Sequence, residues 1–164
     1  MIYILTGNIR TGKTTALLEW VSGRTDIDGL LCPDGDNGKR YFLKIESQEK
    51  FELEVESESE KTIAIGPFQF LKSAFEEANK YLLEANERRD FKYLIIDELG
   101  KLELKNEGLN HAAEILIPQY VMNEYFHLII VVRESLIEET LKHYNIFKYK
   151  IIMKDDLKSL SFRT

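Results

Sequence analysis

Gly7-Asn8-Ile9-Arg10-Thr11-Gly12-Lys13-Thr14 is the stretch on which the reading of this chain turns. It fits G-x-x-x-x-G-K-[ST] at every defined position, and its surroundings suit that pattern. Before it, Met1 to Thr6 is a short apolar run, as a strand buried on both faces would be. After it, Lys13 to about Val21 reads as a helix with Ala16, Leu17 and Trp20 on one side, stopped by Ser22 and Gly23. Strand, glycine loop and helix thus follow directly. The glycines let successive N–H groups turn inward toward anionic oxygens, at the positive end of the following helix. A phosphate-binding stretch from Gly7 to Thr15 is therefore expected. Lys13 would reach the β- and γ-phosphates, and the Thr14 hydroxyl would coordinate Mg²⁺. Arg10 would either lean over the γ-phosphate or point into water.

A phosphate loop of this kind needs an acid for its metal, usually at the end of a neighbouring hydrophobic strand. The run from Tyr93 to Ile96 is fully apolar and ends in Asp97 and Glu98. Open parallel sheets place ligands at the carboxyl ends of their strands, so Asp97 would hold Mg²⁺ directly or through water. Glu98 follows at once and faces another direction, free to address a water molecule. The simpler alternative is a structural Glu98 that caps a helix or pairs with a lysine.

Between these two motifs the pattern changes. Gly29 to Pro33 is apolar, Asp34 to Ile45 reads as a turn leading into an alternating strand, Phe51 to Val55 alternates again, and Thr62 to Ile65 makes a third piece. An antiparallel insertion on an α/β chain is expected. The acids from Glu54 to Glu60 read as a solvated edge. Phe68 to Ala85 carries Phe68, Leu71, Ala74, Phe75, Ala78 and Leu82 at helical spacing, which predicts a core-facing helix over the whole segment. Beyond Asp97 come a helix from about Asn110 to Glu124 that Pro118 should kink or interrupt, a strand at His127 to Val132, a helix near Ser135 to Tyr144 and a strand near Tyr149 to Met153. Alternating strands and helices predict an α/β fold with a mostly parallel sheet and helices on both faces.

Composition narrows the function classes. In 164 residues with 44% hydrophobic content one core can grow to completion, so a single domain over residues 1–164 is expected. A net charge of −6 repels a phosphate backbone over most of the surface and argues against nucleic acid as the main partner. There is no apolar run of about 18 residues, and the opening MIYILTG lacks the features of a signal peptide, so no membrane partner and a cytoplasmic location are expected. Cys32, the sole cysteine, excludes an internal disulfide and reads as a buried small residue.

Taken together, GNIRTGKTT and DELGKLEL resemble the small P-loop nucleoside-triphosphatases of the thermophilic and cancer-related type, whose Walker B region typically reads Asp-Glu-Ile-Gly and then a Met-Glu or similar pair. The resemblance extends through the antiparallel insertion and the order of the later elements. It implies the three-layer P-loop NTPase fold and Mg²⁺-dependent hydrolysis of nucleoside triphosphates to diphosphate and phosphate, with loose base preference. On matching positions it implies phosphate and metal roles for Lys13 and Thr14, the metal for Asp97 and the water for Glu98. Glu103 matches a family acid of unassigned role, and Arg133 is similar to a basic residue the family places near the γ-phosphate.

The loop interior departs from the family's Pro-Gly-rich version, and Arg10-Thr11-Gly12-Lys13 is similar to the Arg-Ser-Gly-Lys of adenosylcobinamide kinases. The late strand ends Val131-Val132-Arg133, not in the His-Arg pair often seen. A small-molecule kinase therefore stands as the alternative, although the seven arginines form no obvious lid cluster. A nucleotide-gated interaction module is a third reading. No Asn-Lys-x-Asp motif supports a regulatory GTPase.

Overall fold

The computed structural model describes residues 1–8 and 12–160. Its larger sheet has seven strands: β1 (Ile2–Leu5), β2 (Ile27–Leu31), β3 (Tyr41–Lys44), β4 (Lys50–Glu52), β8 (Tyr93–Leu99), β9 (His127–Val132) and β10 (Tyr149–Ile152). They lie in the order β10-β1-β9-β8-β2-β3-β4. The first five are mutually parallel, and β3 and β4 extend the sheet antiparallel beyond β2. A separate antiparallel sheet holds β5 (Glu54–Val55), β6 (Thr62–Ile65) and β7 (Phe68–Leu71), with β7 in the middle. The predicted α/β class and antiparallel insertion are both present.

Alternation along the parallel strands makes two cores. On one face Ile2, Ile4, Leu30, Leu94, Ile96, Leu128, Ile130 and Val132 pack under α2 (Lys72–Arg88) and α4 (Asn110–Tyr120). On the other, Tyr3, Leu5, Leu31, Ile95, Ile129 and Val131 pack under α1 (Lys13–Val21) and α6 (Leu157–Leu160). Successive side chains of a strand point to opposite faces, so a strand covered on both sides must be apolar throughout. Each fully buried Leu or Ile contributes about 1.5–3 kcal/mol. Gly29 is required where β2 meets β8, since its φ is +121° and a Cβ there would lie 2.2 Å from the Ile95 carbonyl oxygen. Two short helices complete the chain, α3 (Lys101–Leu104) and α5 (Ile137–His143). Among the described residues no helix is long and apolar enough to cross a membrane.

Several sequence expectations are corrected. The segment from Phe68 is not helical throughout: its first four residues form β7, bonded to β5 on one side and β6 on the other, and the helix begins at Lys72. Phe68 is accordingly 48% exposed while Phe70 is buried, a strand alternation that the helical count overlooked. Phe51 to Val55 is two strands in two sheets, parted at the buried Leu53. Glu54 is buried in β5, so the solvated acidic edge begins only at Glu56. The helix through Pro118 is not interrupted there but ends at Tyr120, short of Glu124. The helix expected from Ser135 begins instead as a 3-10 turn over Glu134–Leu136 before α5. Cys32 is only partly buried as a residue, although burial holds its thiol well above the usual range.

Candidate active site

The carboxyl ends of β1 and β8 and the amino end of α1 meet at one edge of the parallel sheet. Gly12 caps α1 in the left-handed region at φ +81°, a conformation that costs glycine little. Among the described residues no side chain caps α1 and its first turn holds no acid, so its first amides have no capping side chain. That is the condition for an anion site. Lys13 is buried and donates from Nζ to the carbonyl oxygens of Gly7 at 3.3 Å and Asn8 at 2.9 Å, which curls its ammonium over the start of the loop. Thr15 is exposed beside Gly12, on a cleft of about 540 Å³ between α1 and the segment Lys154–Lys158. Ile9, Arg10 and Thr11 lie outside the described residues.

Asp97 is 2% exposed, and two donors meet its Oδ2: the Thr14 hydroxyl at 2.9 Å and the Cys32 amide at 3.0 Å. The threonine of the loop and the acid of the distant strand, 83 residues apart, are therefore in direct contact. Burial and the charge of neighbouring Glu98 push the Asp97 carboxyl up to about 7, while the Cys32 and Thr14 hydrogen bonds pull it down. A hydroxyl and a carboxylate meeting this way are the hard oxygen donors that a small divalent cation takes. Among the described residues no cluster of three or more His, Cys, Asp or Glu could cage a metal.

Both carboxylates lie inside β8, which runs on to Leu99 with a shift in its pairing to β9 between Ile96 and Leu99, whereas the sequence had placed them at the strand's end. The Oε1 of Glu98 faces two guanidiniums, Arg133 at 3.6 Å and Arg40 at 3.7 Å. The family resemblance implied Arg133 near the γ-phosphate, not on Glu98, and it did not single out Arg40, because nothing local to GKRYF marks that arginine as reaching β8. The alternative in which Glu98 pairs with a lysine is replaced by this double contact with arginines.

Glu103 stands apart from these groups. It is buried, and its two oxygens accept the amides of Gly100 at 2.9 Å and Leu109 at 3.3 Å, tying down the segment that leads from β8 to α4. Burial raises its carboxyl to about 7 against the pull of those two hydrogen bonds. Gly108 packs against it so closely that a Cβ would fall 2.1 Å from Oε2.

A family model described as NTPase matches residues 2–159. Among solved structures, THEP1 from the hyperthermophile Aquifex aeolicus is similar, with a TM-score of 0.72 and 21% identity over 99% of this chain and 100% of that one, a likeness of fold. A comparison with curated proteins finds no match. With nearly the whole length covered by the family model, and with a glycine loop and a strand-borne acid brought together as that fold requires, the chain belongs to the small P-loop NTPase family.

Proposed function

We propose that the protein hydrolyses nucleoside triphosphates to diphosphate and phosphate in an Mg²⁺-dependent reaction. The observation that carries this reading is the 2.9 Å contact between Thr14 and Asp97, which unites the phosphate loop and the acidic strand in one site beside Glu98. In this reading the stretch Gly7 to Thr15 holds the triphosphate, with the amides at the start of α1 and the Lys13 ammonium against its β- and γ-oxygens. Lys13 leaves the two carbonyls it now contacts for a stronger, charged acceptor. Thr14 and Asp97 would hold Mg²⁺, which when bound would supply countercharge for the β- and γ-phosphates.

Glu98 accepts a proton from a water molecule as the water oxygen bonds to the γ-phosphorus. The bond from that phosphorus to the β,γ-bridging oxygen breaks, and its electron pair leaves with the diphosphate. Arg133 turns from Glu98 to the γ-phosphate oxygens. Nucleoside triphosphate and water are the only reactants.

The test is single-turnover phosphate release with Mg²⁺, comparing the wild type with Glu98→Gln. Removing a positioned general base typically costs about 10² to 10⁴ in rate, while triphosphate binding should survive. Near-normal release from the folded variant would sink the role of Glu98. Label passing from the γ-phosphate only to a metabolite in cell extract would replace hydrolysis by phosphoryl transfer.

A further inference from the structure

We infer that Arg40, carried in on the antiparallel insertion, is a γ-phosphate-contacting arginine supplied in cis, which trades its ion pair with Glu98 for a phosphate oxygen when a triphosphate binds. This rests on the nucleoside-triphosphatase reading above.

The backbone of Arg40 is held from two sides. The turn between β2 and β3 closes on itself through the Asp34–Arg40 bridge, through Gly35 N–H to the Lys39 carbonyl at 2.8 Å, and through Tyr41 N–H to the Pro33 carbonyl at 3.1 Å. From the second sheet, Glu54 N–H donates to the Arg40 carbonyl at 3.1 Å. The side chain thus starts from a rigid platform and extends to β8, where it is surrounded by the charges of Glu98, Asp34 and Asp97. Groups built on paired backbone are placed more accurately than groups on free loops.

How Arg40 meets Glu98 distinguishes it from the structural arginines of the same molecule. Arg24 makes two hydrogen bonds to Asp26, at 2.9 and 2.7 Å, and Arg88 meets Asp28 at 2.7 Å. Arg40 and Arg133 stop at 3.7 and 3.6 Å from a single oxygen, beyond hydrogen-bond range. Glu98 thus gives neither guanidinium a hydrogen bond, and both can turn their N–H groups to an incoming acceptor beside Thr14 and Asp97. A γ-phosphoryl group offers three anionic oxygens, better acceptors for planar guanidiniums than a carboxylate shared at that range. The exchange also frees Glu98 to take up its water. Charge on the γ-oxygens during transfer is what an arginine at this position stabilises.

The experiment measures, in the presence of Mg²⁺, calorimetric affinities of Arg40→Ala for a non-hydrolysable triphosphate analogue, for the diphosphate, and for the diphosphate with aluminium fluoride. The expected result is a loss of about tenfold or more for the analogue and the fluoroaluminate complex, with diphosphate affinity unchanged. Phosphate release should fall by about 10² or more. Arg40→Lys keeps a charge without the planar fork and is expected to lose fluoroaluminate affinity a few-fold, which covers the case of an alanine variant that folds poorly. In a Glu98→Gln background the loss on Arg40→Ala should persist, whereas a residue that only positions Glu98 would no longer matter to binding. An unaltered ratio of triphosphate to diphosphate affinity in the Arg40 variants overturns this inference alone. A wild type that binds neither nucleotide overturns the reading beneath it as well.

Discussion

Asp28 and Asp97 sit on the neighbouring parallel strands β2 and β8, and are 3% and 2% exposed. Asp28, toward the amino edge of the sheet, has a resident cation: Arg88 of α2 meets its Oδ2 at 2.7 Å, and the Tyr81 hydroxyl and the Gly29 amide donate to its Oδ1. Asp97, toward the carboxyl edge, receives a hydroxyl and an amide but forms no ion pair among the described residues, and its carboxyl is pushed up to about 7. A buried charge without a partner is costly, and a fold retains one where something else supplies the countercharge. The two edges therefore have different work. At the amino edge an acid is neutralised by the protein and holds α2 to the sheet; at the carboxyl edge, on the function proposed above, an acid would be left for a cation from outside.

The sharpest way to break this contrast is Asp97→Asn. The amide keeps the volume and the Thr14 contact but removes the charge, and Mg²⁺-dependent phosphate release is expected to fall about 10³-fold, roughly 4 kcal/mol of barrier. Thermal melting of the ligand-free variant should match or exceed that of the wild type, because a desolvated acid has been removed. A marked fall in melting temperature with turnover preserved would make Asp97 a structural acid like Asp28.

Glu103 is a third buried acid, and it asks whether burial without a cation is enough to mark a chemical site. Its folded carboxyl titrates at about 7 against 4.5 for the ordinary side chain. The folded form therefore keeps its proton to higher pH than the unfolded chain. The stability contributed in this way is fully present below about pH 4.5 and is lost as the pH rises through 7. The change is on the order of 3 kcal/mol. Glu103→Gln should flatten the fall in denaturant-measured stability between pH 4.5 and 7 relative to the wild type, with turnover per folded molecule nearly unchanged. A fall in both proteins of equal steepness would locate the titration elsewhere.

Asp28→Asn should show the smallest effect. It leaves Arg88 without its buried partner, but that guanidinium is 37% exposed and can turn to water, so a loss of about 2 kcal/mol in urea unfolding is expected. Phosphate release per folded molecule should stay within twofold of the wild type, on the order of the scatter for sites with no shared partner. A loss of turnover comparable to that of Asp97→Asn would erase the distinction between the two edges.

Local pattern alone was enough for the parts of this protein whose physics is local. Gly12 needs a positive φ where α1 begins, and the apolar runs of β1, β8 and β9 are what a doubly covered strand must be. Local pattern is ambiguous where one apolar run satisfies two periods. Phe68 and Leu71 count as a helical stripe, but the ladders to β5 and β6 claim their backbone groups, and only non-local pairing could reveal that.

The sequence by itself thus determined the phosphate loop, the acidic strand and the α/β class. The tertiary structure alone decided which groups meet them: Thr14 on Asp97 across 83 residues, the Cys32 amide on the same oxygen, and Arg40 beside Arg133 on Glu98. The reason is distance along the chain. Propensity and periodicity act over a few residues, whereas the closeness of a turn after β2 to the carboxyl end of β8 depends on the strand order β9-β8-β2-β3 and on a second sheet that holds the Arg40 backbone in place.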